Sequence, residues 1–576
     1  MGRPSLLAAV SVAALVLGSG LALADGYESS RLVGPPPFSW TGFYIGTQDG
    51  GAWGHAHVSD PFGKSIYGDN VRTPGPFTGA VIGFNYQQGR TVIGVEADAN
   101  WADLDGTNTC LAFSGNFVSS NCRVHNNAFG TVTGRIGTVL DAGGRTLLYA
   151  KGGLAWLDQS VDVASGNNFF NLFTPPLAPS ATASSSDTRW GWTVGAGAER
   201  ALQGGWSLKF EYDYLRFGSQ DVTTPVSNFV TPVGAFAIVP STTTHVSQDV
   251  QEFKVGVNYR FGANAVADAD FGRGSVRDAR VPGLEFEYGA RYWYSLGRFQ
   301  WDNDRGDGVI ESRLTYNTTG HAGELFGRVD TPMNIFVKGN LGIGTLTDGR
   351  MHDEDWGLPF GAFISYSNTV SSEKNGDLRY GTVDVGYDVM RGRDYKVGFF
   401  IGYNYYNEFM NSYGCVQIAN PAFPCLAPND TQLIGNQDAT WQSLRIGVSH
   451  ETRLTDRLKI TGDIAYLPYV SMSGRDNHLL RQALGGNKTF FDDSGTGQGM
   501  QVEAILSYAV TEKFNLGVGA RYWAMRTDDA TFTCTGCGAP GVTSAPFPAK
   551  FSTERYGLLL QGSWQFYSDR ELQPLK

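Results

Sequence analysis

The sequence predicts an all-β fold: two tandem transmembrane antiparallel β-barrels, of about eight and about ten strands. Three observations predict it. Apolar and polar residues alternate with period two in stretches of about ten residues, the length a tilted strand needs to cross a bilayer. Tight turns alternate with long polar loops. The alternation lapses once, near the middle of the chain.

The strands carry the first observation. In Trp206 to Tyr214, Trp206, Leu208, Phe210, Tyr212 and Tyr214 point one way, and Ser207, Lys209, Glu211 and Asp213 the other. A membrane barrel turns the first set to lipid and fills its lumen with the second. Tyr395, Val397, Phe399, Ile401, Tyr403 and Tyr405 repeat the pattern, as do Phe514, Leu516, Val518, Ala520 and Tyr522. Tyr and Trp gather near strand ends, as at a lipid–water boundary.

Asp141-Ala142-Gly143-Gly144, Gln203-Gly204-Gly205, Asp330-Thr331-Pro332 and Thr511-Glu512-Lys513 are tight connections. Between them lie long stretches rich in Ser, Thr, Asn and Pro, the rhythm of short periplasmic turns and long extracellular loops. Residues 263–283 break the alternation and read as a linker. They separate an eight-stranded barrel at 38–262 from a ten-stranded one at 284–567. A single barrel of about 18 strands is the competing architecture, and the linker argues against it.

Composition agrees. The 576 residues include 75 Gly, with 13% aromatic and only 17% charged residues. That profile suits many short strands better than a soluble helical enzyme. The net charge is −11 and no basic stripe appears, so nucleic acid is not an expected partner.

Residues 1–24 read as a signal peptide. Arg3 gives a positive start, Leu6 to Leu21 an apolar core, and Ala22-Leu23-Ala24 a small-x-small cleavage site before Asp25. No later run approaches the ~20 apolar residues of a spanning helix. A membrane position therefore requires closed barrels, because lipid offers no partner to an unpaired backbone group. Six cysteines fall into local pairs, Cys110/Cys122, Cys415/Cys425 and Cys534/Cys537, each placed by the strand layout in a long loop. In an exported chain these predict three loop disulfides. A redox or metal role for Cys534 and Cys537 is the alternative.

Trp40-Thr41-Gly42-Phe43-Tyr44-Ile45-Gly46 resembles the opening strand of the OmpA-type, porin-family eight-stranded barrels of Gram-negative outer membranes. Val257-Asn258-Tyr259-Arg260-Phe261 resembles their closing strand. The resemblance implies location in the cell outer membrane and no particular activity.

The second half carries Asp353-Glu354-Asp355-Trp356 on one long loop and Asp476-Asn477-His478 on the next loop but one. These motifs resemble those of the omptins, ten-stranded outer-membrane endopeptidases. That family has Asp-x-Asp-Trp in its second extracellular loop region and Asp-x-His in its fourth. Leu378-Arg379-Tyr380 to Asp384-Val385 resembles its following strand. The resemblance implies that Asp476 orients His478 as general base, while Asp353 and Asp355 hold the attacking water. It implies no metal or cofactor. It implies lipopolysaccharide as a lipid partner and peptides or proteins as substrates. Strand parity counted from Ile335 and Val337 points Asp353 and Asp355 outward; counted from Ile460 and Ile464 it does the same to Asp476 and His478. Each motif therefore needs a bulge or an irregular loop entry to face the cleft. Where the family places acidic groups that select basic residues, this chain has Gly297 and Gly474, so a basic specificity is not implied. A non-catalytic structural or adhesive surface barrel and a diffusion porin are the alternative functions.

Overall fold

A computed structural model describes residues 38–568, apart from 113–118, 141–142, 166–181, 203, 232–233, 240, 262–282, 305–309, 357–365, 393–394, 420–424, 426–428, 483–487 and 538–540. The expected signal peptide lies outside the described residues, and of the expected linker only Gly283 is described.

The first barrel comprises β1 (Gly42–Val58), β2 (Asn70–Gln88), β3 (Thr91–Cys110), β4 (Ser120–Val139), β5 (Thr146–Ser165), β6 (Thr182–Ala201), β7 (Trp206–Thr223) and β10 (Thr243–Arg260). The hairpin β8 (Ser227–Thr231) and β9 (Gly234–Val239) stands apart from the sheet. Neighbours pair antiparallel, and β1 closes the ring on β10, from Tyr44↔Arg260 to Val58↔Val246.

The second barrel comprises β11 (Glu285–Asp304), β12 (Ile310–Asp330), β13 (Ile335–Trp356), β14 (Tyr366–Glu373), β15 (Gly376–Arg391), β16 (Tyr395–Gln417), β17 (Leu433–Arg453), β18 (Leu458–Gln482), β19 (Lys488–Ala509), β20 (Phe514–Thr535) and β21 (Phe547–Tyr567). β14 and β15 form one stave, broken where Asn375 takes a left-handed φ of 57°. Both pair with β13 and β16. With β11 paired to both β12 and β21, ten staves close on themselves.

Alternation builds both walls. In the first barrel Lys209, Glu211 and Asp213 are buried in the lumen, as the pattern in β7 requires. Lys151 meets Glu211 at 2.7 Å, Lys209 meets Glu96 at 3.1 Å, and Lys254 meets Asp213 at 2.7 Å. Charges this deep are tolerated because each has partners of opposite sign. Outward faces carry Ile82, Val95, Val132 and Leu154 in the first barrel and Leu325, Leu341, Phe399 and Leu558 in the second.

One part of the outward face does not meet lipid. Leu208 and Val255 of the first barrel pack with Val397 of the second, with Phe210 and Ile464 against them. Trp53 stacks on Tyr522 at 4.9 Å between ring centroids. Leu208, Phe210, Val397 and Tyr522, expected to face lipid, thus lie in a seam between the barrels. Polar contacts continue the seam outward, with Arg72 3.2 Å from Glu554 and an ion pair between Arg526 and Asp103.

The strands are longer than a membrane needs. β18 has 25 residues, whereas a tilted strand crosses the hydrocarbon in about 9–11. The surplus projects outside, because the opposite ends join by short turns such as that at Gly89. This overturns the expected loop placement of four of the six cysteines and of both acidic motifs, while Cys425 and Cys537 lie between strands as expected. Cys110, Cys122, Cys415 and Cys534 stand in strand extensions, and so do all four candidate site residues. The three local pairs are disulfides: Cys110–Cys122, Cys415–Cys425 and Cys534–Cys537.

Candidate functional site

The two motifs rise on β13 and β18, which are separated by three staves one way round the ring and five the other. They therefore stand on opposite sides of the barrel mouth. On β13 the register skips Thr347, between Thr319↔Asp348 and Gly320↔Leu346. Leu346 and Met351, five residues apart, consequently share the interior cluster, whereas an unbroken strand would put them on opposite faces. Asp353 and Asp355 continue the parity of Met351 and face the mouth. On β18 one extra residue falls between Leu467↔Gly499 and Val470↔Gly497. Leu467, Val470 and Met472 then all lie inside, and Asp476 and His478 follow the parity of Met472. Both motifs thus have the inward bulge that the parity count demanded.

Asp476 is only 3% exposed, and its Oδ2 lies 2.8 Å from Nε2 of His478. An ionised carboxylate only accepts, so Nε2–H donates and the tautomer leaves Nδ1 as the basic nitrogen. The His478 ring meets Phe491 edge-on, 4.9 Å between centroids, which fixes its plane. Among the described residues no three His, Cys, Asp or Glu side chains form a metal-binding group.

Below the motifs a buried layer closes the lumen, with Trp293, Trp441, Trp523, Met351, Met472 and Met525 among its members. Tyr316 belongs to it, above the lipid-facing band. Burial first, then the charges of Asp476, Glu373, Asp353 and Asp493, raises the Tyr316 phenol well above its usual range. Carboxylates carried by β13, β14, β18 and β19 thus all act on one buried phenol.

Two of those acids were not singled out in the sequence. Glu373, on β14, accepts a hydrogen bond from the Ser412 hydroxyl; burial, reinforced by Asp476, lifts its carboxyl to about 8. Asp493, on β19, accepts from Gln437 Nε2 at 3.0 Å, and burial raises it well above the carboxylate norm. Neither stands in a motif, and Ser-Glu-Lys and Asp-Asp-Ser read as solvated loop ends.

Gly297 and Gly474 also face the lumen. A Cβ at Gly297 would lie 2.2 Å from Arg555 Nη2. Arg555 is fully buried and held by Glu408 at 2.6 Å, Thr318 at 2.7 Å and Ser295 at 3.0 Å. The space beside Gly297 therefore holds a cation. A Cβ at Gly474 would meet Met472 and Gln437 at 3.1 and 3.3 Å.

Closed walls, apolar outer faces and strands prolonged to one side define a β-barrel protein of the Gram-negative outer membrane. The chain belongs to the outer membrane protein beta-barrel domain family, whose model matches residues 10–261, and the Omptin family model matches residues 295–536. The 31 kDa outer-membrane immunogenic protein of Brucella melitensis is 31% identical over 231 residues, 39% of this chain and 85% of that protein. The 22 kDa outer membrane protein of Rhizobium leguminosarum bv. viciae is 32% identical over 198 residues, 34% of this chain and 72% of that protein. Among solved structures, the outer membrane protease OmpT from Escherichia coli aligns over 49% of this chain and 97% of its own, with a TM-score of 0.40 and 12% identity.

Proposed function

We propose that the second barrel is a surface endopeptidase working at its extracellular mouth. The observation that carries the reading is the 2.8 Å hydrogen bond between buried Asp476 and His478, on the far side of the mouth from Asp353 and Asp355. Asp476 holds the imidazole and stabilises its charged form. His478 Nδ1 takes a proton from a water kept in place by Asp353 and Asp355. The water oxygen bonds to the scissile carbonyl carbon, the C–N bond breaks, and the proton passes to the leaving nitrogen. Arg555, already paired with Glu408, fills the space beside Gly297 and leaves no acid there to receive a basic side chain, so cleavage at neutral residues fits this mouth better.

The test is refolding with lipopolysaccharide, the partner implied by the omptin match, followed by exposure to a peptide library. Cleavage by the wild type and its loss in His478→Ala and Asp355→Ala is the expected result. Activity surviving both substitutions refutes the reading.

A second reading, a non-catalytic adhesive or structural surface protein, draws support from the disulfide-tied extensions of the first barrel. A specific surface ligand without cleavage of any peptide would favour it. Diffusion through the first barrel fits poorly, because ion pairs fill its lumen.

A further inference from the structure

The outward side of the Asp353–Asp355 segment is occupied by the first barrel. Alternation turns His352, Glu354 and Trp356 away from the mouth, and each meets that barrel. The His352 ring stacks on Tyr67 at 3.8 Å, and the Trp356 indole N–H donates to the Ser119 hydroxyl. Glu354 is fully buried: Oε2 accepts from Thr109 Oγ1 at 3.0 Å and Oε1 from Tyr366 Oη at 2.6 Å. The Thr109 hydroxyl in turn accepts from Arg313 Nη1 at 2.9 Å. Arg313 is anchored on its own barrel by Asp302 at 2.6 Å and reaches Asn121 of the first barrel at 2.7 Å. Thr109 precedes Cys110, whose disulfide to Cys122 staples β3 to β4. Ala112 of the first barrel also joins Ile310, Trp356 and Tyr366 in a small apolar cluster behind the segment.

We propose that the first barrel braces the site of the second, with Thr109 as the positioning residue that holds Glu354 from outside and so fixes Asp353 and Asp355 on either side of it. The inference rests on the endopeptidase reading for its consequence, though not for its geometry. The extension is paired on both edges, with β12 and β14, which fixes its backbone in the wall but leaves its outward face to be held by whatever packs there, and a site needs its groups held to within about 0.5 Å. Glu354 is well suited to the task because its carboxylate, once buried, has one low-energy arrangement: both oxygens hydrogen-bonded.

The experiment uses the full-length protein refolded with lipopolysaccharide, with heat-modifiable gel migration verifying barrel closure. Thr109→Val removes the hydroxyl and keeps the shape; Thr109→Ser restores the hydroxyl. The expected result for Thr109→Val is a kcat lower by roughly 10- to 100-fold with KM within about threefold, since a misplacement of about 1 Å can cost that much. Thr109→Ser should return kcat to within about twofold. Amide hydrogen exchange over 350–356 should quicken about tenfold in Thr109→Val alone. Unchanged kcat and unchanged exchange in folded Thr109→Val overturn the brace. Faster exchange with unchanged kcat overturns its positioning role. If the wild type cleaves nothing, the endopeptidase reading fails by itself, and exchange alone then decides the brace: faster in Val but not Ser upholds it, equal in all three overturns it.

Discussion

Replacing Asp476 by Asn isolates the contribution of the carboxylate to the proposed chemistry. The amide is isosteric, so His478 keeps a partner, but the negative charge is gone. Asp476 is almost wholly buried and lies 2.8 Å from Nε2, which puts the two charge centres of the pair about 4 Å apart. At an effective dielectric of about 20 this is worth about 4 kcal/mol to an imidazolium. The interaction matters only once His478 has taken the proton, so its loss falls on the transition state. At about 1.36 kcal/mol per factor of ten, kcat should drop roughly 10³-fold with KM nearly unchanged. The assay is steady-state cleavage of a peptide identified from the library. Asp492→Asn is the control: Asp492 pairs with Arg475 on the outer face at 2.7 Å, and its variant should stay within about twofold of wild type. A kcat for Asp476→Asn within about threefold of wild type would refute the general-base assignment.

Gly297→Ala should destabilise by about 1–3 kcal/mol, because its Cβ meets an Arg555 that four side chains hold in place; urea unfolding of the refolded protein reads this out. Lys254→Ala should cost about 3–5 kcal/mol in the same assay, since it takes from Glu252 the lysine it meets at 2.9 Å and leaves Asp213 and Glu211 to share Lys151 in the first lumen. Glu373 titrates at about 8 in the fold against an ordinary 4.5, so the folded state keeps a proton that the unfolded chain releases. Its contribution is therefore intact below about pH 4.5 and falls away as pH rises towards 8, by an amount on the order of a few kcal/mol. Glu373→Gln should flatten stability against pH across that window, and a slope equal to wild type would contradict the burial argument.

The barrel walls were legible because lipid and lumen impose opposite demands on alternate residues, and β7 states this plainly in Trp206 to Tyr214. The seam was not. Leu208, Phe210 and Tyr522 are apolar and outward whether lipid or another barrel covers them, so alternation cannot separate the two. Strand lengths were underestimated for a related reason: above the membrane neither face meets lipid, and the pattern fades where β18 still runs on. The candidate site was legible as residue types and loop numbers, but its orientation was only a conditional statement. One of the two bulges had a visible cause. Pro468 cannot donate to a ladder and belongs at a bulge, so the parity flip before Asp476 could have been read outright. Thr347 carries no such mark.

Glu354 shows where single-strand reasoning ends. In Asp353-Glu354-Asp355 the middle acid looks like a third solvated carboxylate, and in an isolated barrel it would face outward into water. Its sequence neighbours say nothing of Thr109, which is 245 positions away on another barrel. Period two nevertheless constrains it: if the two aspartates face the mouth, the residue between them cannot. An outward carboxylate above the membrane then meets water or a donor. Burial to 0% with hydrogen bonds to both oxygens is the second outcome, and it ties the orientation of the two aspartates to a surface supplied by the other half of the chain.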